Sequence, residues 1–376
     1  MPAADVLRRI HSSSSSSSEI AMRLFQCESC GLTLHFGNRA CVRCGARLGF
    51  DTGDMRLHAL VPRAEEGTWE IEGRSGQGFR FCDNAAIDVC NWLVPVESGD
   101  AFCAACIHNR IVPTTDPVGL ERWRRISAAQ HHLFYSLLRW NLPHPTREQQ
   151  PDGGLVFDFL ADEVDENGNV IPAMTGHEDG LICLRAAEAD DDVREAVRVA
   201  MDERYRSLLG HLRHEIGHFY WGQLLTDEAD LMRARALFGD EREDYGAALE
   251  RHYEQGPPPD WQERFISTYA SAHAAEDFAE CWAHYLHIVD TLETARAFGL
   301  NTDPRGGHDQ LEAAVDFDPY RAGSADRLVD AWVPLSVAIN EIQRSMGQPD
   351  SYPFVLSQPV VEKLEFIRGI VAKAHG

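Results

Sequence analysis

The sequence predicts an α+β chain: a small cysteine-bearing β region first, then a mainly helical domain that carries a small sheet. Three observations lead there. Eight of the ten cysteines fall into two groups between Cys27 and Cys106. The motif His214-Glu215-Ile216-Gly217-His218 lies in a stretch with helical apolar spacing. Two strand-like runs, residues 155–160 (LVFDFL) and 180–186 (GLICLRA), precede that stretch, and most of the chain beyond it is patterned as helix.

The totals narrow the class. A chain of 376 residues, 44% hydrophobic, has room for more than one domain and a substantial core. No apolar run is long enough to span a membrane, and no apolar export segment lies near the N-terminus, so we expect a cytoplasmic chain with no membrane partner. The formal charge is −24, from 59 acidic and 35 basic residues, with the acidic excess beyond residue 150. That balance argues against nucleic acid as a partner, because phosphates need cations facing them. The cluster Arg39, Arg43 and Arg47 reads as a solvated face. Cysteines arranged as Cys-x-x-Cys in a chain without an export segment read as metal ligands rather than disulfides.

Taken in order, residues 1–21 hold the serine run 12–18, which cannot build a core and is expected to be a disordered tail. Residues 22–115 form the cysteine region. Cys27 and Cys30 make one tight knuckle, Cys41 and Cys44 another, each with glycine next in the chain (Gly31, Gly45). Glycine permits the turn that aims backbone amides at the thiolates, and four thiolates so spaced suit one structural tetrahedral zinc. Cys82, Cys90, Cys103 and Cys106 suggest a second structural site, although the Cys82–Cys90 gap is too wide for a knuckle. His108 is a substitute ligand there or, more simply, a surface residue. Residues 119–141 have a helical pattern, with Trp123, Ile126, His131, Phe134, Leu137 and Leu138 on one side. Pro143, Pro145 and Pro151 then mark a boundary, so 116–150 reads as helix and linker and 151–376 as the second domain.

In that domain Asn167-Gly168 signals a hairpin. The run 180–186, placed just before two helices, is expected to be an edge strand along a metal cleft, able to pair with an extended peptide. Asp190–Asp192 would cap a helix to about 200, and a second helix would run from 203 to 225, with Tyr205, Leu208, Leu212, Ile216 and Phe219 as its buried stripe. Gly210 and Gly217 cost that helix about 1 kcal/mol each relative to alanine. Further helices are expected over 245–253, 271–289, 328–346 and 360–374.

His214 and His218 stand one turn apart on one helical face, where two imidazoles share a zinc ion and Glu215 sits beside its open position. A third ligand is needed. In Tyr269-Ala-Ser-Ala-His273-Ala-Ala-Glu276-Asp277-Phe278-Ala279-Glu280, Glu276 on a second helix completes a His2Glu set. Glu280, one turn on, is placed to accept the other ring N–H of a zinc-bound histidine. His211, His273, His284 and His287 read as structural, and nothing in the spacing turns Asp244 or Tyr245 toward the site.

This arrangement resembles the gluzincin pattern, and the second segment is similar to that of anthrax lethal factor, where a tyrosine also precedes E-x-F-A-E by seven residues. The resemblance implies a zincin-like domain, Glu276 as zinc ligand, Glu280 as the carboxylate behind it, and Tyr269 as a hydroxyl near the scissile carbonyl. Residues 22–376 also resemble a bacterial family that fuses a zinc-ribbon region to a zinc-binding metallopeptidase domain. That resemblance is carried by residues 24–49, Cys90-Asn91-Trp92-Leu93-Val94, Thr175-Gly176-His177, 209–221, Phe238-Gly239-Asp240-Glu241 with Asp244-Tyr245, and 276–290. It implies hydrolysis of a peptide or protein substrate with Glu215 as general base, one catalytic zinc, and one or two structural zincs. The alternatives are an inactive zinc-ribbon scaffold and a zinc hydrolase acting on bonds other than peptides.

Overall fold

The computed structural model describes residues 24–375, apart from 75, 115, 201–205, 307 and 308. The serine-rich head and the expected start of the His214 helix at 203 lie outside them.

The cysteine region is built of short antiparallel strands. β1 (Phe25–Gln26) and β2 (Thr33–Leu34) pair around the first knuckle. The second knuckle leads into β3 (Arg47–Asp51), which opens a five-stranded meander with β4 (Arg56–Pro62), β5 (Trp69–Ile71), β6 (Phe79–Phe81) and β7 (Leu93–Pro95) in sequence order. Bridging of Phe50 to Trp92 draws its two ends together. Gly31 and Gly45 take φ of 70° and 77°, and their N–H groups donate to the Cys27 and Cys41 carbonyls at 2.7 and 2.8 Å. This is the turn that only glycine adopts without strain. His58 on β4 is buried between Glu28 of the first knuckle and Asp54, at 2.7 and 3.0 Å, and so ties knuckle to sheet.

The second region is a four-stranded mixed sheet against helices. β8 (Asn109–Ile111) pairs in parallel with β9 (Val156–Leu160). Between them runs α1 (Pro117–Arg139), capped by the Asp116 side chain, which buries Trp123, Ile126, Phe134 and Leu137 and packs against the later His214 helix. The Asn167-Gly168 signal corresponds to a hairpin of β10 (Glu163–Val164) and β11 (Val170–Ile171). β12 (Gly176–Glu178) and β13 (Leu181–Arg185) complete the sheet in the order β12-β13-β9-β8. The expected edge strand over 180–186 is therefore interior. β13 is covered on both sides, parallel to β9 and antiparallel to β12, and β12 holds the edge. Three residues, two half-buried and then one exposed, carry too little pattern to be read as a strand.

The helices come next: α2 (Asp191–Ala200), α3 (Leu208–Leu224), α4 (Glu228–Phe238), α5 (Tyr245–Gln255), the single turn α6 (Trp261–Arg264) and α7 (Ala274–Phe298). A short pair, β14 (Asn301–Thr302) and β15 (Ala313–Ala314), precedes α8 (Ala325–Ser345) and α9 (Gln358–His375). α3 starts later than the periodicity suggests because Ser207 caps it, accepting from Gly210 N. α7 runs 25 residues, well past 289, and stops at Gly299 with φ 64°.

α3 and α7 form the heart of the domain. Tyr220 stacks on Trp282 at 4.8 Å, and a Cβ on Gly217 would lie 2.9 Å from Ala279 Cα. Gly217 is thus where the two backbones touch, not merely a weak point in a helix. A buried ionic group braces the pair from behind: Arg213 of α3 bonds Asp290 and lies 2.7 Å from His287 Nδ1, while Ser136 of α1 donates to Asp290 at 2.8 Å. Buried charges need such partners.

Candidate metal centres

Among the described residues four sets of possible metal donors converge, one of them Asp51, Asp54 and His58 in the cysteine region; the other three are the sets that the spacing of the sequence points to. Cys27, Cys30, Cys41 and Cys44 bring their sulfurs within 4.8 Å of one another, with Cys27–Cys44 at 3.6 Å and Cys30–Cys41 at 3.5 Å. Four thiolates about 2.3 Å from one tetrahedral zinc would stand about 3.8 Å apart. Disulfide bonding requires about 2.05 Å, so these are thiols arranged as a cage.

Cys82, Cys90, Cys103 and Cys106 form the second set, all buried, with Cys90–Cys103 at 3.8 Å. The wide gap is taken up by a 3-10 turn over Asp83–Ile87, reversed at Asp88 in the left-handed region. His108 is not part of the set. It is buried, with Nδ1 3.0 Å from the Leu155 carbonyl and its ring stacked on Phe134. His131 of α1 comes instead, with Nε2 3.2 Å from the Cys90 sulfur. α1 therefore docks onto the second cage as well as onto α3, a contact between distant segments that no local spacing signals.

The third set joins α3 to the first turn of α7. His214 Nε2 and His218 Nε2 lie 3.2 Å apart. Glu276 Oε2 is 3.0 Å from His214 Nε2, and Oε1 is 3.6 Å from His218 Nε2. Nitrogen and oxygen ligands about 2.0–2.1 Å from a tetrahedral ion stand about 3.3–3.4 Å apart, which these separations bracket. Tyr245 Oη donates to Glu276 Oε1 at 2.8 Å, whereas Oε2 is buried and accepts no hydrogen bond. A buried carboxylate oxygen left so is costly unless something positive faces it. The residues fit a single zinc ion.

Around this centre each expected residue has a defined place. Glu280 Oε1 accepts from His214 Nδ1 at 2.8 Å and Oε2 accepts from Ser267 at 2.6 Å. Burial pushes the Glu280 carboxyl up, but these bonds outweigh it and hold it at about 2. Tyr269 stands with its ring 5.9 Å from that of His214. Glu215 faces a cavity of about 710 Å³ lined also by His211, His214, Tyr269, Trp261 and Phe354. Burial raises the Glu215 carboxyl, while His211 and the neighbouring imidazoles lower it below its ordinary value. β12 borders α3, and its His177 stacks on His218 at 5.9 Å. His273 caps α7, accepting from Ala275 N, and His284 bonds Tyr352 at 2.8 Å while also lining the cavity that Glu215 faces.

Tyr245, which lies in a stretch that carries the family resemblance, and His211 both enter the site, although the sequence reading assigns neither a role there. Tyr245 comes directly after the α5 cap Asp244 and reaches a carboxylate 31 positions away. His211 precedes Glu215 by one turn, a spacing that pattern reading could have used, and its Nε2 is 3.2 Å from Glu215 Oε1.

Among known proteins, residues 119–370 match a family model described as "Putative zinc-binding metallo-peptidase", and residues 24–117 match a zinc-ribbon domain. Uncharacterized proteins of Mycobacterium bovis and of two strains of Mycobacterium tuberculosis are 42% identical over 354 residues, covering 93% of this chain and 95% of each relative. No solved structure gives a significant match. No helix among the described residues is long and apolar enough to cross a membrane. Zinc-binding family descriptions and converged cysteine cages together support zinc as the metal. The chain belongs to the family described as "Putative zinc-binding metallo-peptidase", with a zinc-ribbon domain at its N-terminal side.

Proposed function

We propose that this chain is a zinc peptidase of the gluzincin type, in which His214, His218 and Glu276 hold a catalytic zinc and the two cysteine sets hold two structural zincs. The observation that carries it is Glu276 Oε2, buried, without a hydrogen bond, and 3.0 Å from one of two imidazole nitrogens that share its space. A zinc ion bound there would acidify a water toward a pKa of about 7 and polarise a carbonyl.

The rest of the chemistry falls to side chains. Glu215, on the cavity wall, takes the proton of the attacking water and returns it to the leaving amine. Its lowered pKa keeps it ionised and ready near neutral pH. Glu280 holds the proton of His214 at Nδ1, which turns the Nε2 lone pair to the metal. Tyr269 offers its phenol to the developing oxyanion, a contribution typically of about 3–4 kcal/mol for one donor. Burial pushes that phenol's pKa up, so it stays protonated and able to donate. The free side of β12 supports an extended peptide or protein substrate bound by backbone pairing.

The test is digestion of a peptide library by the zinc-loaded chain and by Glu215→Gln, with zinc measured in both. We expect cleavage by the first, a loss of at least about a thousandfold in the second, and equal zinc. Intact cleavage by Glu215→Gln would overturn the mechanism. An untouched library beside hydrolysis of simple esters would point to a hydrolase of another class.

A further inference from the structure

We propose that His211 is a positioning residue for Glu215, the middle of a hydrogen-bonded run from Glu188 through His211 to the general base; this rests on the peptidase reading above. His211 Nε2 is 3.2 Å from Glu215 Oε1, and Nδ1 is 2.9 Å from Glu188 Oε2. Glu188 is buried on the turn after β13 and is itself held. Thr175 donates to Oε1 at 3.1 Å, and Arg206 Nη2 donates to Oε2 at 2.9 Å, passing 3.4 Å from His211 Nδ1.

Each ring nitrogen of His211 thus faces a carboxylate oxygen. A neutral imidazole donates from only one nitrogen, so satisfying both requires the doubly protonated ring. Burial opposes that charge, and the two carboxylates favour it more, raising the pKa to about 9. The cation is compensated by Glu188 and Glu215, and Glu188 also compensates Arg206.

The consequence is geometric. Glutamate rotates about three side-chain bonds, and a base that wanders loses its alignment with the water. Fixing Oε1 leaves Oε2 as the oxygen to meet the proton, and transfer requires that approach to come within roughly 2.6–3.2 Å. Misplacement by 1 Å costs about a hundredfold in rate. Thr175 and Arg206 line the same cavity as His211, so the run is anchored in the wall of the cleft rather than in the distant core.

The experiment uses the zinc-loaded full chain, a peptide that it cleaves, and the variants Glu215→Gln, His211→Ala and His211→Gln. We expect His211→Ala to lower kcat about a hundredfold with KM within about threefold and zinc content unchanged. His211→Gln keeps an N–H toward Glu215 and should recover at least about tenfold of that loss. Nitrogen-15 spectra of the histidine rings should show both His211 nitrogens protonated near pH 7. An active His211→Ala beside an inactive Glu215→Gln would overturn this proposal alone, as would a change in KM only, or a His211 ring with one bare nitrogen. No cleavage by the wild type, or full cleavage by Glu215→Gln, would instead remove the peptidase reading and this proposal with it.

Discussion

Replacing Gly217 by alanine sets two effects against each other. Helix propensity alone favours the change by about 1 kcal/mol, because alanine loses less conformational freedom in a helix interior. The packing opposes it. The new Cβ would sit 2.9 Å from Ala279 Cα and 3.2 Å from Trp282 Cβ. Carbon atoms rest about 3.5–4.0 Å apart, so α3 and α7 must separate by about 0.6–1.1 Å. The obstacle is backbone and cannot rotate aside. Overpacking of this kind costs about 1–3 kcal/mol, for a net loss near 1 kcal/mol once propensity is credited. The metal centre should suffer more, since α3 carries both imidazoles and α7 carries Glu276. A zinc site tolerates distance errors of about 0.2 Å, several times less than the opening required. Zinc affinity at that centre should fall at least about tenfold, equivalent to about 1.4 kcal/mol. Urea denaturation and zinc retention against graded chelator measure the two quantities. A Gly217→Ala protein that is more stable and holds all its zinc would refute the close-approach argument and return Gly217 to a residue of mere propensity.

Other perturbations test neighbouring parts. Tyr245→Phe removes the donor to Glu276 Oε1 and should weaken zinc at the His214 centre by about 10–100-fold, read by chelator competition, with unfolding changed by less than about 0.5 kcal/mol. The intact chain should carry three zinc ions by metal analysis. Cys106→Ser should carry two and expose the 82–106 segment and α1 to proteolysis, since His131 of α1 rests on that cage. For His58, burial lowers the pKa but Asp54 and Glu28 raise it above its ordinary value. The folded state then binds the proton more tightly, so the stabilisation is complete below about pH 6.5 and fades as pH rises through the folded value. Wild type and His58→Gln should differ more in urea stability at pH 6 than at pH 9, and a larger gap at pH 9 would contradict the assigned partners.

Much of the architecture was legible because it is local. Period-3.6 runs gave the helices, although a cap at Ser207 and a stop at Gly299 moved their ends. α4 carries no legible sequence signal, since its buried residues Asp230, Ala234 and Phe238 are too few and too mixed to form an apolar stripe. β12 is equally silent because three residues hold no period, so the sequence places the edge on the neighbouring strand.

The sequence by itself determined the donor pairs. Two cysteines around a two-residue turn, or two histidines one helical turn apart, are brought together by bond geometry whatever the rest of the chain does. Only the tertiary structure decided what completes each pair: that the Cys82–Cys90 gap folds back into a cage, that His131 rather than His108 stands beside it, that Tyr245 leaves Glu276 one bare oxygen, and that Glu188 backs His211. Those contacts join residues tens of positions apart. Their formation depends on how closely α3 and α7 pack at Gly217 and on where α1 docks, which are properties of the whole core rather than of any window of sequence.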